Sequence, residues 1–470
     1  MEGIEDRVLI DILRRAVGPE RAQVAFDAFS LPPSVSIRLN PYKFRSDQKG
    51  LRGATASLRP ESPEGAEAAG LASPDRGRPR HARGGTADEV GGGAERSEES
   101  GLSEPAAERQ ITQCVVPWCE YGMMLQERPR FVMDPLFHAG CDYVQDSSAM
   151  VVGHILREHL DRFEGLGRPV RVLDLCAAPG GKTTDIATSL RKRFGDTFQL
   201  AANEVMRNRA AILADNVALW GDPNVIVTSC DPKAFSRLEG YFDIIVTDVP
   251  CSGEGMFRKD PKAVEDWSPE AVDLCAARQR RILADAWPAL REEGLLIYST
   301  CTFEEAENDA NVEWAATELG GEVVDYEYSR LPGVIPTRTG GLLVPGFVKG
   351  EGQFVAVLRK TASAGKSKLG LEVLRPIRCG LEPGIHKGKD FIPSADWALS
   401  INPPLDKYPS VELDLDTALK FLHRDGIFIE GQPEGFLIVC FEGHPLGFVK
   451  NIGKRWNNLH PQNRRIRIDL

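Results

Sequence analysis

The chain has 470 residues, 42% of them hydrophobic, and a formal net charge of −11. That length supports two to four domains with a substantial core, and the acidic balance argues against indiscriminate nucleic-acid binding while leaving room for a local basic surface. No apolar run approaches the roughly 20 residues that span a bilayer. The first residues, MEGIEDRVLIDILRRAV, carry acids at helical spacing rather than a signal-peptide pattern, so a cytoplasmic location without membrane attachment is expected. The ten cysteines are scattered through apolar or motif contexts and read as reduced thiols.

Two amphipathic stretches, GIEDRVLIDILRRAV and PERAQVAFDAF, predict helices before an extended SVSIRLNP. From Ser46 to Gln110 there is no aromatic residue, and Gly, Ala, Glu, Ser, Pro and Arg dominate. Such a segment cannot bury enough apolar surface to offset its ordering entropy, so residues 46–110 are expected to be a disordered insertion. Aromatic and apolar text resumes with VVPWCEYGMML and FVMDPLFHAGCDYVQDSSAMVVGHIL, and residues 1–45 with 111–165 are expected to form an N-terminal α+β RNA-binding subdomain. Cys114, Cys119 and Cys141 with His138 could suggest zinc, but CxxxxC lacks the usual tight ligand spacing and no metal is expected.

From residue 166 to 360 the text alternates strand, loop and helix: VRVLDL, FQLAANE, NVIVTSCD, FDIIVTD and LLIYST, with helical stretches between. This pattern predicts an α/β domain with a mostly parallel sheet. Ser268, Pro269 and Glu270 have the residue types of an N-cap and first helical turn. QFVAVLRK closes the sheet region near Lys360. The linker TASAGKSKLG, 361–370, leads to a small α+β domain over 371–470 with a basic tail, Lys450 to Arg467. That tail could serve a phosphate backbone, with Trp456 packed in a core as the alternative.

Chemistry concentrates at the predicted strand ends, the edge at which open α/β sheets bind ligands. VRVLDLCAAPGGKTT places a tight turn between a strand and a helix. Gly181, Lys182 and Thr183 fit the end of a P-loop, but Cys176 occupies the leading glycine position and GxGxxG is absent. Close backbone approach at a helix N-terminus suits a ligand carboxylate as well as a phosphate, and so fits the methionine end of S-adenosylmethionine. Glu204 ends the second strand, where it can take two ribose hydroxyls, and Asp231 ends the third, within reach of an adenine amino group. Asp248, Cys251 and Cys301 follow the next two strands, and two thiols with a carboxylate suggest covalent chemistry.

CAAPGGKT, the Asn203-Glu204 pair, DVPCSGEG, STCTF and the Glu307-Asn308 pair closely resemble the Nop/Sun family of RNA cytosine-C5 methyltransferases. SIRLNP, VPWC and YVQDSSAM extend the likeness over most of the chain outside the insertion, and Val249 departs from it where the family usually has Ala. The resemblance implies a Rossmann-like methyltransferase fold, S-adenosylmethionine as cofactor and RNA as partner. By it Cys301 is the attacking thiol, Cys251 releases the product and Asp248 sits against the base edge; the residues alone do not choose between the thiols. Cys176, Ala177, Ala178, Pro179, Gly180, Gly181, Glu204, Arg209, Asp231 and Asp248 would line the cofactor. Lys182, also placed among the cofactor-lining residues, would add positive charge near the catalytic carboxylate or the RNA, with Arg209 supporting the same site. The C-terminal domain resembles, more loosely, the accessory RNA-binding domain of the branch that modifies small-subunit ribosomal RNA. Transfer RNA as substrate, or a noncatalytic ribosome-assembly factor, are the alternatives, and a monomer is expected.

Overall fold

The computed structural model describes residues 6–44 and 115–468. The composition-based expectation for residues 46–110, and Cys114, lie outside the described residues.

The architecture is organised by one large sheet. Its strands are β1 (Val170–Asp174), β2 (Phe198–Asn203), β3 (Val225–Thr228), β4 (Phe242–Asp248), β5 (Leu290–Thr300), β6 (Gly340–Leu343) and β7 (Gln353–Lys360). They lie in the order β3-β2-β1-β4-β5-β7-β6. The first five are mutually parallel and β7 runs antiparallel to both β5 and β6. Parallel strands are buried on both faces, which is why FDIIVTD reads as a continuous apolar run rather than an alternation. Successive residues serve opposite faces: Leu173, Ile245 and Leu296 join one apolar cluster, and Val172, Ile244 and Leu295 the other.

The helices α1 (Gly181–Phe194) and α2 (Arg207–Trp220) supply Ile186, Leu190, Leu213 and Val217 to the second cluster. On the first face lie α3 (Pro269–Ala286), α4 (Asp309–Leu319) and the amphipathic helix Asp6–Val17, whose Leu9, Ile12 and Leu13 are fully buried. Ser268 caps α3, accepting from the Ala271 amide at 3.1 Å, an interaction worth about 1 kcal/mol.

A second, antiparallel sheet joins Val35–Leu39 to Cys119–Leu125 and Asp142–Val144, with Arg38 opposite Gly122 and Tyr143. Towards the C-terminus Arg378–Cys379 pairs with β3 and extends that edge of the large sheet. The last part is a four-stranded sheet, Ser410–Glu412, Gly435–Phe441, His444–Asn451 and Trp456–Asn458, backed by the helix Leu415–His423. Phe421 and Leu422 of that helix pack with Leu437, Val439 and a buried Trp456. The tryptophan of the basic tail is therefore a core residue.

Candidate active site

The order of the sheet reverses direction at β1, between β2 and β4, so the carboxyl ends of these strands open a crevice. Gly180 stands at the N-terminus of α1 with φ +116°, a left-handed conformation that favours glycine. A Cβ on Gly181 would lie 3.2 Å from the Tyr143 ring. The turn is braced from the antiparallel sheet: buried Arg38 donates to Gly181 O at 3.1 Å and to Gln145 Oε1 at 2.9 Å, and it stacks 4.5 Å from the Trp220 ring centroid. Asn216 Nδ2 donates to Pro179 O at 2.7 Å, and Arg209 donates to Ala178 O at 3.1 Å.

Three carboxyls stand at or just after the ends of β1, β2 and β3. Glu204 is almost fully buried and accepts from Met206 N at 2.9 Å, with Arg209 Nη1 3.4 Å away. Asp231 is half-exposed and caps the 3-10 turn after β3 through Lys233 N at 3.0 Å. Asp174, unremarked in the sequence, ends β1 fully buried, with one oxygen on Thr183 Oγ1 at 2.6 Å and the other unpartnered. Burial pushes its carboxyl up to about 7. Asn203 was also missed as a structural tie. Its side chain donates to Leu175 O and Cys230 O and accepts from Thr228 Oγ1, joining the ends of β1, β2 and β3.

At the ends of β4 and β5, paired in register as Asp248 with Ser299, the reactive groups meet. Asp248 accepts from Lys182 Nζ at 2.9 Å, Ser299 Oγ at 2.7 Å and Gln353 Nε2 at 3.2 Å. Burial works against the Lys182 ammonium, but the Asp248 carboxylate outweighs it and raises its pKa. Cys251 Sγ lies 3.1 Å from Cys301 Sγ and accepts from the Cys301 amide at 3.3 Å. The contact with Cys301, and then burial, raise the Cys251 thiol well above its ordinary range. Cys176 is also buried up, to about 12, and its nearest polar contact is Thr247 Oγ1 at 3.8 Å, which suits a packed side chain.

Close packing holds the two thiol-bearing segments together. Gly255 N donates to Cys301 O at 2.9 Å and Gly352 N to Gly255 O at 3.1 Å. A Cβ on Gly255 would fall 2.6 Å from Gly352 Cα and 2.8 Å from Cys301 O, so the second glycine of SGEG is a requirement of contact. Val249 packs in the apolar cluster with Phe257 and Phe303, so its larger side chain is accommodated.

Residues 168–359 match the family model of the 16S rRNA methyltransferase RsmB/F, and residues 408–466 match that of the methyltransferase RsmF PUA domain. Over residues 168–359 the chain is similar to the RsmB/F methyltransferase family. It is 36% identical over 281 residues to the ribosomal RNA small subunit methyltransferase F of Escherichia coli O7:K1 (strain IAI39 / ExPEC), covering 56% of each chain. The Pectobacterium carotovorum subsp. carotovorum (strain PC1) protein of the same name is 36% identical over 258 residues, covering 53% of this chain and 51% of that one. The chain spans about half the length of the curated relatives it matches. Two solved structures share the Rossmann-like methyltransferase fold. A methyltransferase homolog protein from Pyrococcus horikoshii has TM-score 0.52 and 22% identity, covering 74% of this chain and 93% of that one. NSun6 from Pyrococcus horikoshii with SFG has TM-score 0.50 and 18% identity, covering 76% and 98%.

The basic tail divides into two kinds of arginine. Arg464 is ion-paired with Asp215 of α2 at 3.0 Å and with Asp396 at 2.6 Å, so its charge is committed within the fold and not to RNA as the tail reading expects. Lys454, Arg455, Arg465 and Arg467 are exposed. Cys119 and Cys141 are buried, His138 Nε2 lies 2.9 Å from Val132 O, and no cluster of three metal-ligating side chains occurs among the described residues. No helix among the described residues is long and apolar enough to cross a membrane.

Proposed function

We propose that this chain transfers a methyl group from S-adenosylmethionine to carbon 5 of a cytidine in RNA, with small-subunit ribosomal RNA as the substrate. The observation that carries the reading is the convergence of Asp248, held by three donors, with two thiols 3.1 Å apart. The names of the similar proteins and the PUA match favour ribosomal RNA.

The cofactor supplies a methyl group on a sulfonium. The residues present fit it: a Gly-Gly turn at a helix N-terminus suits its carboxylate, and Glu204, just after the end of β2 and 3.4 Å from Arg209, suits its ribose hydroxyls. Cys176, Ala177, Ala178 and Pro179 would line the pocket, with Asp231 towards the adenine.

Carbon 5 of cytosine is a poor nucleophile, and adding a thiolate to carbon 6 makes it enamine-like. In this reading Cys301 gives up its proton to water and, as thiolate, bonds carbon 6, while Asp248 shares a proton with ring nitrogen 3 and so meets the charge that develops on addition. Lys182, Ser299 and Gln353 orient Asp248 for that contact. After methylation the proton leaves carbon 5, the carbon 5–carbon 6 double bond returns and the bond to Cys301 breaks, with Cys251 serving this release. A base inside a helix is out of reach, so the target cytidine is flipped or single-stranded, with the C-terminal domain gripping the surrounding RNA.

The test is to incubate the protein with labelled S-adenosylmethionine and either small ribosomal subunits or transfer RNA, then map the label. Label at carbon 5 of a ribosomal cytidine is expected. Tight RNA binding without transfer to any RNA would instead identify a noncatalytic assembly factor.

A further inference from the structure

The peptide that follows Cys251 is held by two acids that the proposed chemistry leaves without a part. Ser252 Oγ lies 3.0 Å from both carboxyl oxygens of Glu254, 3.0 Å from Thr302 Oγ1 and in close hydrogen-bonding contact with Glu307 Oε1. Glu254 and Glu307 are both fully buried. Other donors reach the two acids: Trp267 Nε1 to Glu254 Oε1 at 2.6 Å, Gln279 Nε2 to Glu307 Oε2 at 2.6 Å, and Ser252 N to Glu307 Oε2 at 3.2 Å.

Proton counting decides the state of this cluster. A serine hydroxyl carries one proton and donates it to one acceptor, so the second carboxyl can bond the same oxygen only by donating a proton of its own. Neither acid forms an ion pair among the described residues, and two buried like charges this close do not both ionise without a cation. Burial pushes Glu307 up to about 7 and raises Glu254 as well. The groups facing the pair are the Cys251 and Cys301 thiols, Cys275 on α3, Tyr298 on β5 and Glu304; the nearby cations are Arg278, which acts on Cys275, and Arg15, which pairs with Glu304 at 2.9 Å, and neither forms an ion pair with Glu254 or Glu307.

The cluster grips both sides of Cys251. Glu307 takes the amide of Ser252, while Gln279, itself bonded to Glu307, donates to Pro250 O at 2.9 Å. The Tyr298 hydroxyl donates to Glu307 O at 2.6 Å and so fixes the acid to β5. We infer that Glu254, Ser252 and Glu307 form a proton-holding clamp that positions Cys251 for product release. This rests on the reading of Cys251 as the release thiol. No proton travels from the clamp to the thiol. Its action is to fix the flanking peptides and to keep a second negative charge away from Cys251. Glu254 and Glu307 are positioning residues.

Two measurements on the full chain test this. Infrared difference spectra of the RNA-free protein across the neutral range should show, in addition to the band that Asp174→Asn removes, a protonated carboxyl band that Glu254→Gln and Glu307→Gln each remove. Absence of that band in the unsubstituted protein overturns the clamp whatever the RNA chemistry proves to be. With RNA and S-adenosylmethionine, Glu307→Gln should slow decay of the Cys301–RNA adduct about tenfold, as expected for loss of a charge-assisted hydrogen bond, while adduct formation changes less than about twofold. The pH dependence of that decay should lose its neutral inflection. Unchanged decay and an unchanged pH profile overturn the inference, as does an equal slowing of formation and decay. If Glu307→Gln does not fold, Ser252→Ala, which removes the shared hydroxyl and keeps both acids, decides on the same readouts. Failure of the unsubstituted protein and of Cys251→Ala to form any adduct, with the carboxyl band present, counts against the release reading and so against the clamp's role in it.

Discussion

Lys182 Nζ lies 2.9 Å from Asp248 Oδ2, and this ion pair joins the first turn of α1 to the end of β4. The residue that follows the two-glycine turn thus also orients the acid proposed to meet the base. Lys182→Met should leave Asp248 with only Ser299 and Gln353 as donors. Removing one preorganised donor from such a site typically costs about 100-fold or more in rate. Single-turnover transfer should fall by that order while RNA affinity changes little. A rate within about twofold of the unsubstituted protein would show that the lysine does not serve the chemistry.

The two thiols are near neighbours with unequal surroundings, and substitution separates them. Cys301→Ala should abolish transfer with no RNA adduct. Cys251→Ala should trap protein on RNA, visible as a shifted band on denaturing gels. The reverse pattern would exchange their roles.

Asp174 makes stability depend on pH in a definite direction. Burial raises its carboxyl to about 7, far above the ordinary aspartate value, so the folded state holds the proton over a range where the unfolded chain has lost it. The contribution is therefore complete in acid and declines as pH rises towards about 7, beyond which it stays lost. Thermal unfolding of Asp174→Asn should show a flatter pH dependence over that interval. The same slope in both proteins would refute the assignment.

The strands of the central sheet, the Ser268 cap and the meeting of Asp248, Cys251 and Cys301 were legible because each rests on local text: apolar runs, cap residues, and acids or thiols placed directly after strands. Asp174 ends its strand as Asp248 does, but it was passed over because the apolar text runs on through Leu175 to the turn, and its hydrogen bond to Thr183 of α1 appears only in the fold. The Arg38 brace joins residues 143 positions apart and leaves no pattern at either end. Glu307 was visible as part of a motif, but the hydroxyl it shares with Glu254 emerges only when β5 and the Cys251 loop are brought together.

Arg464 illustrates the same limit in the basic tail and gives a further prediction. Sequence density places it with Arg465 as a phosphate contact, whereas the fold buries it against Asp215 and Asp396. Burial alone would raise the Asp396 carboxyl, but Arg464 and Arg378 outweigh it and hold it below its ordinary value. The resulting stability is present above the ordinary aspartate range and is lost as pH falls through the depressed value. Arg464 is largely enclosed while Asp215 and Asp396 stay partly exposed, so the pair is worth less than a fully buried one, and Arg464→Ala should still lower Tm at neutral pH. Paired substitution of exposed Arg465 and Arg467 by alanine should instead leave Tm in place, weaken RNA binding at low salt and flatten its salt dependence. Calorimetry and binding titrations over a salt series separate the two effects. Loss of RNA affinity in Arg464→Ala with no change in Tm would return that arginine to the RNA surface.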